Sequence, residues 1–166
     1  MRPMPERAAL VEQVHSAVER RLLDPLEILL ESIDALAAVR REIARRAERW
    51  AEDMLGTDER RAVHTLSRLI AALHPGDGAF DPPAQWWATP LGQVVVRRVG
   101  HPFAVAVPYS VAGAMLGVTR QFVHNLVTRG KLERHPDGGV TVASVQARLA
   151  LRRPGADVQA SDGGWA

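Results

Sequence analysis

The chain has 166 residues, of which 46% are hydrophobic and 24% charged, and this balance excludes disorder of the whole chain. It contains no cysteine, which excludes disulfides and thiolate metal sites. No apolar run approaches the roughly 18 residues that a membrane span needs, and the first residues lack the apolar segment of a secretion signal. The net charge of +2 is too small to indicate a partner, so the positions of the charges have to be considered.

A long helix is predicted in the first 74 residues. It is expected to start at Asp24, because Asp24 followed by Pro25 is a helix-start signal, and to end at Gly56. Its apolar positions keep a heptad register for about four repeats, which at about 1.5 Å per residue predicts a rod roughly 45 Å long. The members of this heptad stripe are Leu26, Leu29, Ile33, Leu36, Arg40, Ile43, Ala47, Trp50 and Met54.

Two interpretations of the heptad stripe are open. In the first, the long helix forms the coiled-coil-like seam of a homodimer, with Arg40 pairing with a carboxylate of the partner or lying at the edge. In the second, it is the middle helix of a three-helix bundle within one chain. The arginines between Arg40 and Arg49 are expected to form a solvated face interleaved with Glu42 and Glu48, with an accessory nucleic-acid contact as the alternative.

Residues 75–89 are predicted to be a linker, because the stretch 74–83 is rich in glycine and proline. Two adjacent tryptophans, Trp86 and Trp87, follow this stretch. Adjacent side chains cannot share one helix face, so at least one tryptophan is expected to be buried and to anchor the linker, with base stacking as the alternative.

A further helix is predicted directly after the linker. Thr89 and Pro90 form a second cap-then-proline signal, and the helix is expected to end near Gly100. The valine run at 94–96 also fits a strand. Residues 103–107 are β-prone and are expected to supply a short strand.

Residues 109–149 contain the most specific pattern of the chain. Ser110 is expected to cap a short helix, and Gly117 lies where the chain must turn sharply. Thr119 is expected to cap a second helix that Gly130 closes. Two helices joined by a tight, glycine-containing turn form a helix-turn-helix.

A β-hairpin is predicted after the second helix. Asp137 and Gly138 lie at the centre of its turn, and Val140 and Val142 alternate with a threonine as a strand would. Ser144 is expected to cap the final helix.

This succession resembles the winged helix-turn-helix of the excisionase and MerR-like DNA-binding superfamily, and the match covers about a quarter of the chain. The resemblance implies that the second helix reads duplex DNA and that the hairpin is a wing. Two features depart from the family: Gly113 replaces the usual alanine, and the expected dimer helix precedes the DNA reader instead of following it. The matching pieces are the cap Ser110, the helix 111–116, Gly117-Val118-Thr119-Arg120, the recognition helix 121–128, Arg129-Gly130-Lys131-Leu132, the wing 133–142 and Ser144.

The distribution of charge also favours DNA binding. Before residue 76 there are about 12 arginines against 13 acids, whereas residues 109–153 carry seven cations against two acids. This local excess of about +5 suits a phosphate backbone. Arginine suits guanine, and glutamine and asparagine suit adenine, while the wing tip suits a phosphate or the minor groove. The expected DNA-binding residues are Thr119, Arg120, Gln121, His124, Asn125, Thr128, Arg129, Lys131, Arg134 and His135.

The predicted fold is mainly α-helical. A coiled-coil-like dimerisation region, 1–74, precedes a winged helix-turn-helix domain with a small β-hairpin wing, 90–153, and a flexible tail, 154–166. The expected function is that of a cytoplasmic, nucleoid-associated homodimer that binds an inverted repeat in double-stranded DNA and regulates transcription, most often by repression.

Two alternatives to this function remain open. The first is an accessory DNA-binding factor for recombination, plasmid maintenance or chromosome organisation. The second belongs to another class, an adaptor whose long helix binds a different protein. The sequence has no catalytic constellation, metal-ligand spacing or phosphate loop, so no enzymatic activity, metal or cofactor is expected, and a small-molecule effector stays open.

Overall fold

A computed structural model describes residues 4–151, and this part of the chain is mainly helical, as predicted. The predicted tail, 154–166, and the basic residues Arg152 and Arg153 lie outside the described residues. No helix within 4–151 is both long and apolar enough to cross a membrane. The helices are α1 (Arg7–Val18), α2 (Asp24–Leu30), α3 (Ala37–Leu55), α4 (Glu59–Leu73), α5 (Pro90–Arg98), α6 (Tyr109–Leu116), α7 (Arg120–Thr128) and α8 (Val142–Ala150); the strands are β1 (Ala106–Val107) and β2 (Val140–Thr141).

A π-helical segment, Glu19–Leu23, joins α1 and α2 into one continuous helix. A proline has no N–H to donate to the preceding turn, and the wider π turn ends at Leu23, two residues before Pro25. Asp24 therefore lies inside a helix and makes no side-chain cap bond, so the predicted helix start at this residue is wrong.

The predicted 45 Å rod is wrong, because the chain reverses after α2. Glu31 adopts the left-handed conformation, with φ of 50°, and a 3₁₀ turn, Asp34–Leu36, leads into α3. The helix α3 then packs back on α1 and also contacts α4. Gly56 ends α3, as predicted.

The reversal divides the heptad stripe into two parts. Leu36, Ala47 and Met54 are buried inside the chain, and Ile43 and Trp50 pack against this core. In contrast, Leu29 and Ile33 are each 79% exposed, and Leu26 is 42% exposed. The second part of the stripe therefore belongs to an intrachain helical bundle, whereas the first part has no cover within the described residues.

The side chain of Arg40 explains part of this reversal. Its guanidinium contacts the carboxylates of Glu19, Asp24 and Glu27, which lie on the opposite arm of the helical hairpin. Hydrogen bonds to Glu27 and then Asp24 raise the pKa of Arg40. The carboxylates that Arg40 contacts thus come from its own chain, so its charge is paired without a partner's carboxylate.

Aromatic side chains fix the predicted linker to the core. Trp87 is fully buried and Phe80 is 7% exposed, which confirms that at least one tryptophan anchors this segment. The ring of Trp86 lies 5.2 Å from that of Phe80 and 5.0 Å from that of Trp87, both in edge-to-face geometry. The two tryptophans lie in a 3₁₀ turn, Ala84–Ala88.

The helix α5 is the central element of the described chain. The Thr89 hydroxyl accepts a hydrogen bond from Gly92 N at 3.2 Å, which confirms the predicted cap. Residues 91–96 are all buried, and a helix covered on every side explains the valine run, so the strand alternative is wrong. On one side Gln13 Oε1 accepts from Leu91 N at 2.7 Å, and on the other Gln93 Nε2 donates to Met115 O at 2.9 Å.

The two strands form a small antiparallel sheet next to α8. Ala106 pairs with Thr141 and Val107 with Val140, which confirms the short strand expected at 103–107. One hydrophobic cluster extends from Leu10 in α1 to Leu149 in α8, so the helical region and the C-terminal elements share a core.

Candidate nucleic-acid interface

The turn between α6 and α7 is tight and fixed by local hydrogen bonds. Gly117 has a positive φ of 71°, and Val118 N donates to Gly113 O at 2.9 Å. The hydroxyl of Thr119 accepts from Phe122 N at 3.1 Å and so caps α7. The predicted roles of Gly117 and Thr119 are confirmed.

Two predicted serine caps are wrong. Ser110 lies inside α6, which begins at Tyr109 without a side-chain cap. The cap of α8 is Thr141, whose hydroxyl accepts from Ser144 N at 3.3 Å. Ser144 Oγ accepts from Glu133 N at 3.1 Å and donates to Thr141 O at 2.9 Å, so this serine connects the hairpin to α8.

The helix α7 has one buried and one exposed face. Val123 and Leu126 are buried, whereas Phe122 is 44% exposed, so Val123 is the residue that faces the core. The opposite face is polar and open to solvent. Its exposed residues are Arg120, Gln121, His124, Asn125 and Thr128.

Three predicted contact residues also support the local structure. The Thr119 hydroxyl is occupied as the cap of α7, and Thr128 Oγ1 donates to His124 O at 3.1 Å. The half-buried His135 accepts from Asp137 N at its Nδ1, at 3.2 Å. Their side chains therefore have structural partners before any ligand binds.

The turn of the predicted hairpin is at the expected place, but the predicted strand is shorter. Val142 begins α8 rather than extending the strand, and β2 pairs with β1, so that the two arms of the hairpin are joined by one isolated bridge. Arg134 forms an antiparallel bridge with Val140. His135 N donates to Gly139 O at 3.1 Å, and Gly138 N donates to His135 O at 3.0 Å. Gly138 and Gly139 have φ of 105° and 75°, values that glycine adopts without steric penalty.

An open groove lies between α7, the start of α6 and the hairpin. Its volume is about 580 Å³, and Tyr109, Arg120, His124 and Arg134 line it. A neighbouring hollow of about 500 Å³ shares the first three of these residues and adds Gln121. The sequence interpretation missed Tyr109, whose ring lies 6.2 Å from that of His124. It is the only tyrosine of the chain and the first residue of the 109–149 pattern, which was the available signal.

The exposed cations of α7, of the residues directly after it and of the hairpin have no counter-charge within the described residues. None of the four exposed basic residues Arg120, Arg129, Lys131 and Arg134 forms an ion pair there. Several arginines of the helical region do pair with a carboxylate on another helix, whereas Arg20, Arg21, Arg41, Arg49, Arg60 and Arg68 form no ion pair in the described chain. The interhelical pairs are Arg7 with Glu48 and Glu52, Arg40 with Asp24 and Glu27, Arg61 with Asp53, and Arg98 with Glu59.

The arginine cluster of α3 is partly neutralised within its own helix. Arg45 and Arg46 each lie 2.7 Å from a carboxylate oxygen of Glu42. Hydrogen bonds from Arg46 and then Arg45 lower the pKa of Glu42. These exposed pairs are what a solvated face presents.

Family models, curated proteins and solved structures were each compared with the chain, and none of them matches. Within residues 4–151, no three His, Asp or Glu side chains are clustered so that they could hold a metal ion.

Proposed function

We propose that the protein binds double-stranded DNA with sequence specificity through α7 and the hairpin, and regulates transcription as a homodimer on an inverted repeat. The observation that carries this proposal is the set of exposed cations on α7, directly after it and on the hairpin, two of which, Arg120 and Arg134, line the groove. They lack carboxylate partners in the described chain, while the interhelical arginines Arg7, Arg61 and Arg98 have them. A basic surface without internal counter-charge attracts a polyanion.

The side chains on the exposed face of α7 fit the edges of bases. Arg120 lies in the first turn, where a recognition helix approaches the major groove, and arginine pairs with guanine. Gln121 and Asn125 are exposed on the same face and suit adenine. Arg134 borders the groove from the hairpin and suits a phosphate or the minor groove. This arrangement supports the resemblance to the winged helix-turn-helix of the excisionase and MerR-like superfamily.

The exposed apolar side chains at the hairpin of α2 and α3 support the proposed dimer. Monomeric proteins rarely expose so many neighbouring large apolar residues. The partner that we propose is a second copy of this chain, since a two-fold dimer presents two copies of α7 to an inverted repeat. This apolar tip consists of Leu26, Ile28, Leu29, Leu30 and Ile33.

The apolar tip also favours a second candidate function. An adaptor would use the same tip to bind a different protein and would not need the basic groove. An accessory factor for recombination or chromosome organisation would use the groove as the regulator does, and would differ in the DNA sites that it occupies.

The test is binding to DNA fragments that the protein itself selects from a random-sequence pool, measured by fluorescence anisotropy. The double variant Arg120→Ala/Arg134→Ala is expected to weaken binding by roughly a hundredfold, from about 1–3 kcal/mol for each arginine removed. The slope of the logarithm of the affinity against that of the salt concentration is expected to fall by about 1 for each phosphate that is no longer neutralised.

A matched control removes two cations from another surface. Arg60 and Arg68 lie exposed on α4, and Arg60→Ala/Arg68→Ala lowers the net charge equally. We expect this control to bind within about twofold of the parent protein. An equal loss in both double variants would contradict a binding surface at α7, and the absence of any salt-dependent binding to duplex DNA would favour the adaptor.

A further inference from the structure

A second cavity lies among the helical elements, away from α7. Its volume is about 460 Å³, which is within the usual range of small-molecule sites. Its walls come from α1, the π-helical segment, the end of α4, the tryptophan turn and the start of α5. We propose that this cavity binds a small carboxylate whose remaining part is an apolar ring.

The position of Arg21 is the first argument for a carboxylate. Its Nη1 donates to Leu73 O at 2.6 Å and approaches His74 Nδ1 at 3.2 Å. These contacts orient the guanidinium and leave its other N–H groups available. Other arginines that join two helices within the described residues reach a carboxylate, as Arg40 and Arg98 do, but Arg21 has none.

A second cation lines the same cavity. Arg20 Nε donates to Ser16 O at 3.3 Å, within its own helix, and forms no ion pair in the described chain. Two guanidinium groups without an acid favour an anionic ligand, and their planar forks match a carboxylate in a bidentate arrangement. Both arginines belong to the π-helical segment, a type of distortion that is frequent at functional sites.

The other walls determine what else the ligand must contain. Trp86 is half-buried and supplies apolar surface next to Leu73 and Leu91, which are each only 2% exposed, and its ring is held against Phe80 and Trp87. A purely inorganic anion would leave this surface in contact with water, whereas an aromatic or aliphatic ring would cover it.

His74 lies on the cavity wall and does not add to its charge at neutral pH. Burial, and then the charge of Arg21, lower the pKa of His74, so the ring is neutral near pH 7. The two arginines are therefore the cations that a bound carboxylate would meet. This site does not depend on DNA binding, because it shares no residue with the groove at α7.

The experiment is a titration of the full chain, followed by the NMR shift of the Trp86 indole N–H. The probes are benzoate, phenylacetate and cyclohexanecarboxylate, with benzamide as the uncharged control of the same shape and inorganic phosphate as the control without a ring. We expect saturable shifts with ring carboxylates and at least tenfold weaker binding of both controls. Equal binding of benzamide, equal binding of phosphate, or no saturable shift with any carboxylate would overturn the proposal.

Variants locate the binding to the two arginines. Arg21→Gln is expected to weaken benzoate binding by about tenfold or more, because the oriented fork is removed. Arg68→Gln, an exposed arginine of α4, serves as the matched control and is expected to have no effect. Arg20→Gln removes a contact within its own helix only, so it tests the site even if Arg21→Gln fails to fold. If both single variants fold, unchanged benzoate affinity in both would contradict the site. If Arg21→Gln does not fold, unchanged affinity in Arg20→Gln would contradict it.

Discussion

Gly113 lies in α6 at its closest approach to the turn before α7. A Cβ atom at this position would lie 2.7 Å from Val118 O, a backbone atom that cannot move aside cheaply. Glycine inside a helix is less favourable than alanine by about 1 kcal/mol. Glycine at 113 avoids the steric clash that the Cβ of an alanine would make with Val118 O, and this gain offsets the loss in helix propensity. The departure from the alanine of the resembling family thus has a steric reason that only the structure shows.

The predictability of a single residue depends on how far along the chain its partner lies. The Thr119 hydroxyl accepts from Phe122 N, three residues away, and Gly117 has a positive φ in a local turn, so both roles follow from the neighbouring sequence. Arg40 pairs with residues up to 21 positions away, and the Tyr109 ring faces His124 across two helices. No periodicity or spacing indicates contacts of that kind.

His101 makes a turn that requires a neutral imidazole. Its Nδ1 accepts hydrogen bonds from Phe103 N at 3.2 Å and Ala104 N at 3.0 Å, and its ring lies 5.1 Å from that of Trp87. Burial lowers the pKa of His101, although the charge of Asp81 opposes the shift. A proton on Nδ1 would remove both acceptor contacts.

The stability of the protein is therefore expected to depend on pH through His101. The unfolded chain binds a proton near pH about 6.5, whereas the folded chain does so only at lower pH, so stability is full above this value and is lost as the pH falls. His101→Asn keeps an acceptor for the turn but cannot titrate. The free energy of unfolding is measured with urea at about pH 7.5 and about pH 5.5. We expect it to fall less in this variant than in the parent protein, because the variant lacks the uptake of up to about one proton on unfolding. An unchanged slope in His101→Asn would contradict the role assigned to His101.

At the scale of elements, the heptad stripe was compatible with two structures. A rod and a helical hairpin place the same residues on the same helix faces, so the period alone does not reveal a reversal. No glycine or proline lies between 26 and 55 to mark one. The contacts that stabilise the hairpin, the Arg40 ion pairs and the burial of Leu36, form between segments distant in sequence.

A substitution at Glu31 distinguishes the helical hairpin from a continuous rod, because it should change the stability in opposite directions in the two structures. A non-glycine residue in the left-handed conformation is unfavourable by roughly 1–2 kcal/mol, so Glu31→Gly is expected to stabilise the protein by about 0.5–1 kcal/mol. In a continuous rod the same substitution would destabilise a helix interior by about 1 kcal/mol. Chemical denaturation measures the difference, and Arg41→Gly inside α3 is the control that should destabilise. A loss of stability in Glu31→Gly would indicate a helix that continues through residue 31.

At the scale of the whole molecule, the positions of the charged residues along the sequence predicted the charge asymmetry but not the shared core. The proline- and glycine-rich stretch marks a break in secondary structure, and the tryptophan turn that follows it contacts α5 and α6. Phe80 and Trp87 are buried there, and Gln93 bonds both to Trp87 O and to Met115 O. Local composition indicates where helices stop, whereas burial depends on elements that meet only in the folded chain.

The buried and exposed parts of the heptad stripe should respond differently to a charge, and this difference tests the dimer. Leu29→Glu and Ile33→Glu place a carboxylate on the exposed apolar tip, so each is expected to retain the parent melting temperature while sedimentation shows a monomer at micromolar concentration. Leu36→Glu puts the same charge at a position that is 5% exposed, so it should unfold the hairpin rather than separate two copies. If the parent protein sediments as a monomer, the proposed homodimer is wrong and the tip would bind a different partner. If the tip variants remain dimeric, the dimer interface lies on another surface. An inverted repeat is bound by two joined copies of α7. The monomeric variants should therefore bind the selected DNA more weakly than the parent protein does, although their α7 is unaltered.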